Sequence, residues 1–134
     1  MAAHSSAQRR RRADRGRAAL ERGRAAEDVA AGFLLAQGLQ IVERNFRCRM
    51  GEIDLLARRE SELIVVEVRT RSSERYGGAA ASIDGRKQRR IRLTAARLLQ
   101  TRRDLAQMRV RFDAIVVSDV DGDNPRVQWI KHAF

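Results

Sequence analysis

Cysteine occurs once in these 134 residues, at Cys48, so no disulfide can close within the chain and no cysteine-based zinc site can form. A reducing, cytoplasmic compartment is the expected setting. Histidine is almost as scarce. His4 and His132 stand at opposite ends, which argues against a zinc cluster and against a Ser-His-Asp triad. Aromatic residues make up only 4% of the chain, too few for single-strand recognition by extended base stacking. No apolar run reaches the roughly 18 residues a membrane helix needs, and no glycine-rich phosphate loop of Walker or dinucleotide type is present.

Positive charge is abundant. The net charge is +11, and of 28 cationic residues all but Lys87 and Lys131 are arginine. Such a balance points to a polyanionic partner, and nucleic acid is the commonest one for a soluble basic chain. With so few aromatics, recognition of backbone and shape suits the composition better than base stacking. The first 17 residues hold Arg9, Arg10, Arg11, Arg12, Arg15 and Arg17 against Asp14 alone. They are expected to form a disordered basic tail that adds sequence-independent affinity, followed by one domain over residues 18–134.

Apolar periodicity predicts a helix from about Arg17 to Gln37, with Val29, Ala30, Phe33 and Leu34 in register and Gly38 as its stop. Strands follow at Gln40–Arg49, Glu52–Arg58 and Leu63–Thr70. Gly77-Gly78 is expected to break the chain, after which Asp84 caps a helix running to about Thr101. Strands at Arg109–Val117 and Arg126–Lys131 flank a turn at 121–125. The order α-β-β-β-α-β-β defines an α/β domain with a mixed sheet. Asp119, Asp121 and Asp123 alternate, but Gly122 is misplaced for a calcium loop and Ile130 stands where a bidentate glutamate is needed, so a solvated turn is expected. The second helix carries Arg86, Lys87, Arg89, Arg90 and Arg97 on its remaining face, and phosphate contact is the reading they favour, with Arg71 nearby.

Two strings carry the chemistry, Gly51-Glu52-Ile53-Asp54 and Glu67-Val68-Arg69. If the second and third strands pair through the loop 59–62, Arg58 faces Leu63, Asp54 faces Glu67 and Glu52 faces Arg69. Like charges directly opposed across a hairpin repel unless a cation or proton lies between them. A divalent metal with hard oxygen ligands, Mg²⁺ or Mn²⁺, would supply that cation. Asp113, between Phe112 and Ala114, is expected to pair with Arg109 or Arg111.

This arrangement resembles the restriction-endonuclease-like superfamily, whose active-site pattern is written PD-(D/E)xK. Gly23 with Glu27, Arg44-Asn45-Phe46-Arg47, Gly51-Glu52-Ile53-Asp54, Glu67-Val68-Arg69, Lys87, Arg111-Phe112-Asp113 and the ending Trp129-Ile130 to Ala133-Phe134 are similar to the YraN-like family, small bacterial predicted nucleases related to archaeal Holliday-junction resolvases. The resemblance implies a three-layer core, metal-dependent cleavage of structured or branched DNA, Asp54 and Glu67 as ligands, and Glu27 as a further acid from the first helix. A homodimer would suit symmetric junction cleavage. Where the superfamily has lysine this chain has Arg69, which can stabilise charge but cannot act as a base, and Lys87 is the residue that could substitute. The alternative is a non-catalytic nucleic-acid-binding or scaffold protein that keeps the fold.

Overall fold

The computed structural model describes residues 5–71 and 83–134, and Gly77-Gly78 lies outside them. Helix α1 spans Ser6–Ala36, and strands β1 (Gln40–Cys48), β2 (Gly51–Arg59) and β3 (Glu62–Arg71) follow. Helix α2 (Gly85–Thr101), a turn of 3₁₀ helix at Arg103–Leu105, β4 (Arg109–Ser118) and β5 (Arg126–Ile130) complete the order. The five strands lie in sequence order in one sheet. Only β3 and β4 run parallel, because α2 intervenes between them; the other neighbours are antiparallel.

The two helices cover opposite faces of the sheet. Ala26, Ala30 and Leu34 of α1 pack on Leu55, Ala57, Ile64, Val66, Ile115 and Val117. Ile91, Ala95 and Leu98 of α2 pack on Ile53, Leu56, Leu63 and Val65. The β3 run Leu63-Ile64-Val65-Val66 therefore alternates between the two layers and is buried on both, as a central strand must be. No helix among the described residues is long and apolar enough to cross a membrane.

Helix α1 starts about eleven residues before its expected beginning, so the segment expected to be a disordered tail is helical from Ser6 onward. The Ser5 hydroxyl accepts from the Gln8 N–H while the Gln8 side chain accepts from the Ser5 N–H, a complete capping box. Residues 6–28 include no proline and no β-branched residue and are dominated by arginine and alanine, both good helix formers. Apolar periodicity is absent there, so the sequence pattern marks only the later, buried part of the helix.

Gly32 sits in the interior of α1, and a Cβ added to it would meet nothing within 4 Å. Gly32→Ala is therefore expected to stabilise the protein by about 1 kcal/mol, the ordinary helix-propensity difference. Urea denaturation checks it; a destabilised variant would mean that the helix needs flexibility at this point.

Candidate metal centre and its basic wall

The expected register of β2 and β3 is the one observed, with Arg58 opposite Leu63 and Leu55 opposite Val66. One step further the backbone ladder stops. The Asp54 carboxylate instead accepts the Val68 N–H at 2.8 Å, so a side chain takes the bond that a strand carbonyl would have taken. Side-chain alternation also slips here, since Ile53 packs on the α2 side and Leu55 on the α1 side although they are two residues apart. Asp54 consequently sits in the splay between two strands, accessible from both helical layers.

Four carboxylates meet at that point. Glu27 of α1, Glu52 and Asp54 of β2 place oxygens that all lie within 4.8 Å of one another. Glu67, only 5% exposed, shares a hydrogen bond with Asp54 from the α2 side. The Asp54 carboxyl is pushed up to about 8, first by burial, then by the charge of Glu67, with the Val68 N–H opposing and the Glu67 hydrogen bond and the Glu27 charge adding to the rise. Asp28, next to Glu27, is ion-paired to Arg44 of β1, the strand that pairs with the one carrying Glu52.

Glu52 does not face Arg69. It lies opposite Arg47 in the β1–β2 ladder and is ion-paired to it at 2.9 Å. The expected Glu52–Arg69 pair fails because the β2–β3 ladder has already ended at Leu55 and Val66. Among the described residues Arg69 does not line the cleft beside the carboxylates, and its Nη1 is buried without a hydrogen-bond partner.

The cation beside the acids is Lys87, whose Nζ pairs with Glu67 Oε1 at 2.5 Å. Asp84 caps α2 through the Lys87 N–H at 2.8 Å, which places Arg86 and Lys87 in the first helical turn. Cations there oppose the helix dipole, so both the dipole and the side chains raise the potential for an incoming anion. Close approach of α2 depends on Gly51, whose φ is +154°: a Cβ there would lie 3.0 Å from Thr94 Oγ1 and 3.5 Å from Arg90 Cβ. Between the acids and this helix end lies an open cleft of about 490 Å³, lined by Gly51, Glu52, Asp54 and Glu67 on one side and Arg86, Lys87 and Arg90 on the other.

The remaining basic residues divide. Arg89 and Arg97 are exposed on α2 outside the cleft lining, and Arg97 bonds Gln100. Arg71 lines a separate depression with Arg22, Thr70 and the Asp119–Gly122 turn. Arg9, Arg10, Arg11 and Arg12 lie on the exposed part of α1. Sequence reasoning missed Arg24, Asn45 and Arg47, which share a smaller depression with Glu27 and Glu52. The available signal was Arg44-Asn45-Phe46-Arg47 itself, a polar string on a strand; Asn45 has φ 54°, a left-handed conformation that asparagine tolerates.

Asp113 pairs with Arg111, one of its two expected partners, and is wholly buried. Its Oδ1 accepts from Arg111 Nε at 2.9 Å and the His132 N–H at 3.0 Å, and its Oδ2 from Arg111 Nη2 and Trp129 Nε1, both at 2.8 Å. This cluster fastens the C-terminal end and stands apart from the cleft.

Fold and site define a small three-layer α/β protein with a carboxylate cluster where two strands splay, facing the basic end of a helix. The chain belongs to the family described as "Uncharacterised protein family UPF0102", the YraN-like family, which matches residues 26–117. It is 51% identical to a UPF0102 protein of Hahella chejuensis over 112 residues, 84% of this chain and 88% of that protein. A UPF0102 protein of Alkalilimnicola ehrlichii is 47% identical over 115 residues, covering 86% and 87% of the two chains. One of Frankia casuarinae is 46% identical over 112 residues, covering 84% and 94%.

Proposed function

We propose that this protein is a metal-dependent nuclease that hydrolyses phosphodiesters in structured DNA. The observation that carries the reading is the convergence of Glu52, Asp54 and Glu67 opposite Arg86, Lys87 and Arg90 across one cleft, with Glu27 of α1 close to Glu52 and Asp54. A cluster of acids at the mouth of a basic cleft is unfavourable for a bare phosphate and suited to a phosphate that arrives with a cation.

The donor set is all carboxylate oxygen, with no sulfur or imidazole among the residues of the cluster, which fits a hard cation such as Mg²⁺ or Mn²⁺. Asp54 with Glu27, Glu52 and Glu67 would hold it, and when bound such an ion supplies an acidified water and polarises a phosphate oxygen. The chain's own groups account for the rest. Arg86 and Arg90 hold the backbone phosphates at the cleft wall. Lys87 offsets the charge of Glu67 and offers its remaining N–H donors to the phosphate, where negative charge grows during cleavage. Arg69, outside the cleft lining, has no part in this scheme.

The experiment is cleavage of linear, flap and four-way DNA with Mg²⁺ or Mn²⁺. Glu67→Gln is expected to abolish cleavage with binding intact, and Lys87→Met to lower it by roughly 10²–10³, the usual cost of losing one electrostatic donor. Arg69→Lys is expected to change little. A large gain from Arg69→Lys would return the lysine role to that position, turnover unchanged in Glu67→Gln would remove this cleft as the source of cleavage, and no turnover in the parent would leave the alternative, a non-catalytic DNA-binding protein on the same fold.

A further inference from the structure

The N-terminal half of α1 lies at the surface and buries none of its side chains. Every residue from Ser5 to Arg22 is exposed, and the first side chain the helix fully buries is Ala26. At about 1.5 Å per residue the run Ser6–Arg22 is about 25 Å long. Six of the eight arginines from Arg9 to Arg24 fall into two rows. At 3.6 residues per turn, Arg10, Arg17 and Arg24 fall within about 40° of one another around the axis, and so do Arg11, Arg15 and Arg22. The two rows stand roughly 140° apart. The shorter arc between them holds Asp14 and Glu21; the wider arc, roughly 220°, holds Arg9, Arg12, Gly16, Gly23 and Ala30, and Ala30 is wholly buried against the core, so this is the face α1 turns toward the body. Arg24 lines the same depression as Glu27 and Glu52, so one row begins beside the carboxylates. None of these six arginines is ion-paired among the described residues.

We infer that this arm enters the major groove of a B-form DNA duplex, with one arginine row on the phosphates of each strand, and so holds the duplex that adjoins the carboxylate cluster. A helix lying on one strand would need a single row. Two rows on opposite flanks suit a helix between two strands, and the major groove, about 12 Å wide, admits a helix about 10–12 Å across. The major groove of A-form RNA is too deep and narrow for this, so the arm selects DNA. A lipid surface is a poor occupant, because residues 6–19 contain no apolar side chain larger than alanine and an interfacial helix needs an apolar face. From Arg10 to Arg24 the rise is about 21 Å, or roughly six base pairs of one-sided contact. The inference rests on the nucleic-acid part of the function proposed above and not on hydrolysis.

The test is fluorescence anisotropy of the full chain in EDTA, against a DNA duplex of about two helical turns, the matching RNA duplex, a single strand, and phosphatidylserine vesicles. Gly16→Pro keeps every charge but breaks the helix between the two ends of the arm. It is expected to weaken DNA-duplex binding roughly tenfold or more at low salt and to leave single-strand binding nearly unchanged. Gly16→Ala, whose Cβ meets nothing within 4 Å, is expected to bind as tightly as the parent or tighter. Arg10→Gln with Arg17→Gln is expected to flatten the log-log salt slope on duplex DNA by about 1.8. The core of every variant should melt with that of the parent, since residues 5–22 contribute no buried side chain to it. Wild-type DNA binding by Gly16→Pro would overturn the inference and make these arginines a flexible tail, as would equal affinity for the RNA duplex or for vesicles. Because EDTA removes catalysis, the arm stands or falls separately: absent cleavage with this binding pattern condemns only the nuclease reading, and intact cleavage without the pattern condemns only the arm.

Discussion

Asp113→Ala is expected to cost about 3–5 kcal/mol, the usual penalty for removing one partner from a buried ion pair. The carboxylate accepts four hydrogen bonds with no exposure to solvent, from Arg111 twice, Trp129 and the His132 backbone. Its loss would strand the buried Arg111 guanidinium with only Glu62, at 2.6 Å, and leave the Trp129 and His132 donors without this acceptor. For a domain of this size that corresponds to a fall in melting temperature on the order of 10–20 °C. Asp113→Asn, which keeps an acceptor but not the charge, should cost less. Trp129 is the only tryptophan, so its fluorescence reports local loosening of the C-terminal strand separately from global unfolding. A loss below about 1 kcal/mol for Asp113→Ala would mean that solvent reaches the cluster and replaces these bonds.

That cluster was half legible in the sequence. Asp113 and Arg111 are two residues apart on one strand and so share a face, but Trp129 and His132 join them only because β5 returns antiparallel beside β4. The same division runs through the whole molecule. Element order could be read because short apolar, β-branched runs are separated by turn signals and α2's apolar residues recur at helical spacing. The β2–β3 register followed from the loop length alone. The end of the ladder did not, because it depends on the Asp54 side chain reaching the Val68 backbone, a tertiary event that no pairing arithmetic contains. Lys87 likewise reaches Glu67 only because Gly51 and Thr94 let α2 approach β2, four positions scattered over some forty residues of chain. Its scarcity was the one local hint: two lysines among 28 cations, one of them on the helix nearest the acids.

Asp54→Asn is expected to abolish most of the pH dependence that the carboxylate cluster imposes on metal-free protein. In the folded state the Asp54 carboxyl is pushed up to about 8, from an ordinary value of 3.8. Between these two values the native state keeps a proton that the unfolded chain has released, so stability falls as pH rises, by up to about 1.4 kcal/mol per pH unit. Below the ordinary value both states are protonated and above about 8 neither is, so the slope from this group vanishes at both ends. An asparagine cannot ionise, yet its amide can accept the Val68 N–H and donate to Glu67. The variant should therefore be nearly flat over this window and more stable than the parent at pH 8. A divalent cation should act in the opposite direction on the parent, replacing the proton among the carboxylates and stabilising the fold by mass action at pH 8. Urea unfolding at acidic, neutral and mildly basic pH, in EDTA and in Mn²⁺, measures both effects. Parallel slopes in the two proteins would remove Asp54 as the titrating group. A Mn²⁺ stabilisation that survives in Asp54→Asn would place the ion away from the splay between β2 and β3, and with it any hydrolysis that depends on the ion.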